Sequence, residues 1–313
     1  MHPLFTQALD RLIIRLAARA MPPAGRHEPH AREAAVLLQA DDFFCDFVRV
    51  PELVFSGNNV FEFQSPLATP WENNNRVRGK LFRCAENWAS HPTVILVHGW
   101  NDELGYRFRL PFCARVLNRH HINAALIELP YHLQRRPHAP GAIRDFISED
   151  LWRMVEATRQ SIADIRALAK WLSEKGCGRI GLWGSSLGAW LGGLTLCHEP
   201  LIQTAVLTTP VVELERLIAE LAFCAPIRRS YETTNVSLEK LNLLSHRPRL
   251  SKEHLLIQEA EQDLFAPKES VEKLWRCWHE PEIWRLRHGH ISILMSISVL
   301  RKTAEWFAKK FVE

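Results

Sequence analysis

No apolar run in this chain approaches the roughly 18 residues that a membrane-crossing helix needs, so no spanning segment is expected. There is no disulfide framework either. The seven cysteines are odd in number, scattered, and include no C-x-x-C pair. Cys45, Cys84, Cys113, Cys177, Cys197, Cys224 and Cys277 read as small core residues in a reducing compartment, which points to the cytoplasm. No cysteine–histidine cluster has zinc-ligand spacing, so no metal site is expected. Charge of one sign is also scarce. The formal charge of +4 is mild and no long block of like charges occurs, which leaves nucleic-acid binding without support. No internal repeat and no low-complexity segment is present.

What is present is a globular composition. At 313 residues, 47% hydrophobic and 24% charged, the chain suits one large α/β domain or two small ones. A core of that size needs neither disulfide nor metal.

At the N-terminus, Leu4, Phe5, Ala8, Leu9, Leu12, Ile13, Leu16 and Ala17 recur at helical spacing, with Asp10, Arg11, Arg15 and Arg19 between them. A secretory signal would place its charges first and follow them with an uninterrupted apolar stretch, which this segment lacks. Two readings stay open: an amphipathic helix packed on the domain, or a basic helix lying on a membrane surface or partner through residues 1–20. Met21 to His30, rich in Pro, Gly and His, reads as a linker, so residues 1–30 form a leading helix and linker.

Residues 31–39 read as a short helix. Phe43 to Val50, Val54-Phe55, Val60 to Gln64 and Val77 to Cys84 read as short extended segments of an antiparallel opening. From Thr93 the rhythm changes. Strands are expected at 93–97, 124–129, 179–183, 205–208, 255–258 and 283–286, and helices at 111–119, 151–173, 214–221, 268–277 and 291–311. Such alternation means βαβ units and a parallel sheet.

Within that rhythm stands Gly184-Ser185-Ser186-Leu187-Gly188, a G-x-S-x-G pattern between a strand-like run, 179–183, and a helix-like run, 189–194. A turn this sharp strains the central serine and needs small neighbours so that strand and helix can approach. It lifts the Ser186 hydroxyl to the sheet edge beside the positive end of a helix. His98-Gly99-Trp100-Asn101 follows the buried strand 93–97. The backbone N–H of Trp100 and that of Leu187 are candidate oxyanion donors; removal of such a donor elsewhere costs about 3–4 kcal/mol.

The acid candidate is Asp263, in the loop after strand 255–258, where catalytic groups gather at the carboxyl ends of strands. Its part would be to accept a histidine Nδ1–H and fix the tautomer. Glu259 and Glu261 compete nearby and Glu213 more distantly. The base candidates are His288 and His290, after the last short strand, with His290 favoured because it follows Gly289 and directly precedes the helix.

Four stretches, VILVHGW, GLWGSSLGAW, EAEQDLFAP and RHGHIS, resemble those of the α/β-hydrolase superfamily over about residues 90 to 312. The resemblance implies a mostly parallel sheet of about eight strands with helices on both faces. The catalytic residues follow in the order Ser186, Asp263, His290. It implies one hydrolase domain over residues 31–313, with a small cap inserted at about 212–250. Glu128-Leu129-Pro130-Tyr131 with Arg135-Arg136-Pro137 is similar to an N-P-Y…R-K-P element of the group around α/β-hydrolase-domain protein 18.

Trp183, Trp190, Trp275, Trp278 and Trp284 read as core packing, whereas Trp100 and Tyr131 lie on loops at strand ends and are candidates to line an acyl pocket. His98 is a further substrate-binding candidate. Arg135, Arg136 and His138 either meet an anionic head group or are solvated. The expected activity is that of a serine hydrolase cleaving small-molecule or lipid carboxylic esters through an acyl-enzyme, with no cofactor. Amide, peptide or thioester hydrolysis, lipid hydrolysis or acyl transfer at a membrane surface, and a non-catalytic binding protein of the same fold are the alternatives.

Overall fold

The computed structural model describes residues 3–21, 30–45, 48–57, 59–138, 145–148, 150–234 and 236–313. Most of the linker expected at 21–30 lies outside the described residues.

Nine strands make one sheet among the described residues: β1 (Val54–Ser56), β2 (Val60–Gln64), β3 (Arg76–Phe82), β4 (Thr93–Val97), β5 (Asn123–Ile127), β6 (Ile180–Ser185), β7 (Ile202–Thr208), β8 (Leu255–Ala260) and β9 (Glu282–Leu286). Their order is β1-β2-β3-β5-β4-β6-β7-β8-β9. β1, β2 and β3 pair antiparallel, as does β3 with β5, and the other pairs are parallel. The antiparallel opening and parallel body match the expected α/β architecture, with one strand more than the eight anticipated.

Eleven α-helices connect them among the described residues: α1 (Pro3–Ala20), α2 (Ala31–Gln39), α3 (Glu72–Asn75), α4 (Leu110–Asn118), α5 (Leu151–Glu174), α6 (Leu187–His198), α7 (Leu214–Glu220), α8 (Ala225–Thr234), α9 (Lys268–Cys277), α10 (His290–Leu294) and α11 (Ile297–Lys310). Every residue of β4 is buried because the sheet is covered on both faces. Ile95 and Val97 join a core with α5 and α6, and Val94 and Leu96 join one with α4 and α11. The period-two alternation of a strand thus feeds two separate cores. Helix α6 is apolar nearly all round and buried almost throughout, as a central helix must be.

Two expectations fail. Phe43 to Val50 contains no strand among its described residues. The carbonyls of Phe43, Phe44 and Cys45 accept instead from the guanidinium groups of Arg159 and Arg166 on α5, so this apolar stretch is held by side-chain donors rather than by a neighbouring strand. The closing helix is not continuous over 291–311 either. It breaks at Met295-Ser296, where Ser296 is extended with ψ of 100° and starts α11 afresh.

The central packing constraint is the contact between α6 and β4. A Cβ on Gly188 would stand 2.4 Å from the Val97 carbonyl oxygen and 2.5 Å from that of His98. Backbone atoms give way only by moving the helix, so Gly188→Ala is expected to lower stability by about 3 kcal/mol or more. A urea midpoint within error of wild type would contradict the packing described here.

Candidate active site

Ser186 lies between the end of β6 and the start of α6, with φ of 54° and ψ of −118°. That left-handed backbone is strained for a residue with a Cβ, and such strain persists only where the surroundings over-determine it. Here they do. The Ser186 amide donates to the Thr208 carbonyl at 2.9 Å. A Cβ on Gly184 would stand 2.2 Å from the Gly188 carbonyl oxygen, so the turn closes only with glycine there. Leu187, first in α6, has an amide with no partner inside the helix, at the positive end of its dipole.

The Ser186 hydroxyl stands 2.8 Å from His290 Nε2, and His290 Nδ1 stands 2.7 Å from Asp263 Oδ2. A carboxylate only accepts, so Nδ1 carries the proton and Nε2 is left to accept from the serine. The other Asp263 oxygen accepts from the Phe265 and Ala266 amides at 2.7 and 2.8 Å, which holds the carboxylate in its loop. Phe265 stacks on the imidazole at 4.5 Å and shields it from water. Burial pulls the His290 pKa down, but the Asp263 charge and hydrogen bond, with a smaller contribution from Asp10, outweigh it and leave the value raised. Such a relay can take a proton from a serine hydroxyl and hold the resulting imidazolium.

Two of the competing acids and the competing base are engaged elsewhere. Glu213 accepts from Ser270 at 2.5 Å and pairs with Lys273 at 3.0 Å. Glu259 faces Arg285. His288 meets Ser292 Oγ at 3.2 Å and does not line the cavity onto which Ser186 opens.

Ser186 and His290 open onto a cavity of about 900 Å³, lined mostly by apolar side chains including Phe112, Met154, Trp190, Leu214, Phe223 and Ile227. Trp100 and Leu187 also line it. Trp100 stacks on Phe223 at 4.8 Å, and its indole N–H, though buried, finds no acceptor among the described residues. Trp190, read as core packing, is buried yet also forms part of the cavity wall.

His98 and Tyr131 do not line the cavity. His98 is buried beneath the turn; its Nδ1 donates to the Gly99 carbonyl at 2.7 Å and its Nε2 accepts from the Leu129 amide at 3.1 Å. Burial pushes its pKa down to about 4, so the ring is a neutral strut between two loops. Tyr131 is likewise buried, with its hydroxyl donating to Glu156 at 2.8 Å. Arg135 is fully buried and pairs with Asp164 at 2.8 Å, while Arg136 pairs with Glu103 at 2.8 Å. Both cations are committed within the fold.

Two charged groups at the site escaped the sequence reading. Arg109 donates to Ser185 Oγ at 3.2 Å and pairs with Asp102 at the cavity edge. Asp10, grouped with the polar positions of α1, is in fact fully buried beside His290. A signal existed: at about 100° per residue Asp10 falls in the middle of the face made by Ile13, Ile14 and Ala17.

Comparisons with known proteins agree with this architecture. Residues 62–224, which include Ser186 but neither Asp263 nor His290, match the family described as alpha/beta hydrolase domain containing 18. An uncharacterised protein of Mycobacterium tuberculosis is 30% identical over 240 residues, covering 73% of this chain and 56% of the relative. The chain therefore spans little more than half the length of the curated relatives it matches. Among solved structures, the acetyl xylan esterase from Paenibacillus sp. R4 is similar with a TM-score of 0.58 at 12% identity, covering 94% of this chain and 98% of that one. A serine hydrolase without a lid from Xanthomonas campestris is similar with a TM-score of 0.54 at 13% identity, covering 82% and 97%. At such identities the likeness is one of fold.

The buried His98 generates a test. Unfolded, it titrates near ~6.5, and folded near 4. Between these values the unfolded chain binds the extra proton, so stability falls as pH drops through that window, by up to about 3 kcal/mol from this residue. Urea midpoints measured from pH 7 to 4 should decline, and the decline should be shallower in His98→Asn.

Proposed function

This chain belongs to the alpha/beta hydrolase domain containing 18 family, and from that premise we propose that it is a serine hydrolase cleaving carboxylic esters through an acyl-enzyme. The observation that carries the reading is the relay Ser186–His290–Asp263, at 2.8 and 2.7 Å, opening onto an apolar cavity. Ser186 Oγ attacks the ester carbonyl as His290 Nε2 takes its proton. The amides of Trp100 and Leu187 receive the charge that develops on the carbonyl oxygen. His290 then returns the proton to the departing alkoxide, and water repeats the sequence on the acyl-enzyme. Asp263 keeps the imidazole in the required tautomer. Every step is served by side chains and amides of the protein, with no cofactor invoked.

The cavity bears on the substrate. Its volume of about 900 Å³ and its apolar lining suit a long or bulky hydrocarbon group rather than a small polar one. The unpaired Trp100 indole N–H would take one acceptor on the substrate.

A fluorophosphonate probe should label the wild type and fail to label Ser186→Ala, whose melting temperature should be nearly unchanged. With p-nitrophenyl esters, kcat/KM should rise from acetyl to octanoyl; an acetyl optimum would remove the cavity from the acyl site. His290→Ala should lose as much activity as Ser186→Ala, because members of a relay act as a unit, while His288→Ala retains most. The base works unprotonated and its pKa is raised, so kcat/KM should climb with pH through an ionisation above about 6.5.

A second reading, action on esters held in a membrane surface, is favoured by α1. Phe5, Leu12 and Leu16 are 61%, 52% and 50% exposed and share one flank of the helix. The exposed Arg11, Arg15 and Arg19 share another. Ile13, beside the apolar flank, lines the cavity, whose mouth also carries exposed Leu104, Phe108, Met295 and Ile297. Apolar and basic flanks together fit an anionic lipid surface. The full chain should float with anionic vesicles, and Leu12→Asp/Leu16→Asp should abolish flotation without changing turnover of a soluble ester. Absence of flotation by the wild type would leave the soluble-ester reading alone, and equal flotation of both proteins would remove α1 as the membrane contact.

A further inference from the structure

The buried face of α1 ends in the active site. Asp10 is fully buried, and among the described residues its carboxylate is paired with no lysine or arginine. Oδ2 accepts from the His290 amide at 2.8 Å and from the Leu264 amide at 3.3 Å, and Oδ1 accepts from the Ile291 amide at 3.0 Å. The first two amides of α10 would otherwise have no partner inside that helix. The third belongs to the residue that follows Asp263. One turn earlier on α1, Thr6 Oγ1 donates to Gln262 Oε1 at 2.6 Å, a second tie to the same loop. The approach of α1 leaves no space at the intervening position: a Cβ on Gly289 would stand 2.8 Å from Asp10 Oδ2 and 3.0 Å from the Thr6 carbonyl oxygen.

We propose that Asp10 is a positioning residue for His290: by gripping the backbone of His290 and of the loop that carries Asp263, it locks both into one unit and sets the imidazole between Asp263 and Ser186. The inference rests on the reading of His290 as the general base. It gives α1 a part in the reaction that its amphipathic outer face does not suggest. A side chain 280 positions away in sequence supplies the cap that a helix start more often draws from its own first residues. The same carboxylate puts a second negative charge near an imidazole that becomes cationic during turnover. The charged groups facing His290 are Asp263 from the loop after β8, Asp10 from α1, and Arg109, which opposes them and is itself paired with Asp102. Burial raises the Asp10 pKa, and the two α10 amides and His290, which lower it, offset that rise only in part.

Asp10→Asn keeps the shape but removes the charge and turns an NH₂ group toward a backbone N–H. The rate of fluorophosphonate labelling should fall about tenfold or more, as expected when a reacting group is displaced by a fraction of an ångström to an ångström. With p-nitrophenyl esters the loss should lie in kcat rather than KM. Because the Asp10 charge favours the imidazolium, its removal should shift the acid limb of the pH profile to lower pH, which a merely structural role would not do. The His290 ring titration, followed by NMR and assigned by its disappearance in His290→Gln, should move the same way. Gly289→Ala, whose backbone φ of −90° suits alanine, should push Asp10 aside and slow labelling without any change of charge. Unchanged labelling and an unchanged His290 titration in folded Asp10→Asn would overturn the inference; should that variant not fold, unchanged labelling in Gly289→Ala would do so. If the wild type itself does not label, the hydrolase reading fails, and the His290 titration in Asp10→Asn still decides whether the charge acts on the ring.

Discussion

The whole arrangement depends on how closely α6 lies against the carboxyl ends of β4 and β6. With side chains at 184 or 188, helix and strands would be held apart by carbonyl contacts of 2.2 to 2.5 Å. Glycine at both positions lets the chain turn directly from strand to helix, and the cost is the strained backbone of Ser186. The rest of the site is arranged around that one turn. The loop after β4 passes over Ser186, so that a Cβ on Gly99 would stand 3.5 Å from the serine Cβ. The loops after β8 and β9 bring Asp263 and His290 to the same edge. Carboxyl ends of neighbouring parallel strands are where an open α/β sheet collects its polar groups.

Beneath this edge the protein buries several ionisable side chains, and many of them have local partners. Arg135 is paired with Asp164 and also donates to the carbonyls of Asn74 and Glu128. Arg166 pairs with Glu199 at 3.2 Å and satisfies the carbonyls of the 43–45 turn. His98 and His132 are kept neutral by burial, each donating Nδ1–H to a nearby carbonyl. Buried charges persist only when paired and hydrogen-bonded, so these groups act as clamps on loops rather than as ligand contacts. This is why conspicuous polar residues such as Arg135, His98 and Tyr131 stand away from the cavity, while the cavity itself is nearly apolar.

That cavity is built by several separate segments: the turn after β4, α4, α5, α6, α7, α8, α10, α11 and α1. Its walls are helix faces and its polar groups gather near Ser186. Such a division suits a substrate whose reacting group is polar and whose remainder is hydrocarbon, the class favoured by the proposed function. Helix α1 has two distinct faces, one with Thr6 and Asp10 buried against the loops of the relay and one with apolar and basic side chains exposed.

The sequence by itself determined what local spacing can express. The alternation of buried strands and helices, the G-x-S-x-G turn, and the succession of serine, acid and histidine after three parallel strands are all short-range patterns, and the structure contains each of them. Local pattern misled where an apolar run was stabilised by something other than its own periodicity. Phe43 to Cys45 looked like a strand but is held by arginines from α5. Ser296 divides a helix whose apolar spacing continues across the break. The tertiary structure brought His290, the histidine already favoured in the sequence, up to the serine, and it alone decided that His98 and Tyr131 turn inward and that Asp10 reaches the backbone of His290. The contacts of His290 with Ser186 and with Asp10 join residues 104 and 280 positions apart, and those of His98 and Tyr131 join residues 31 and 25 apart. No periodicity in a linear chain specifies such contacts, because they arise only when packed layers bring distant backbone groups within hydrogen-bond reach.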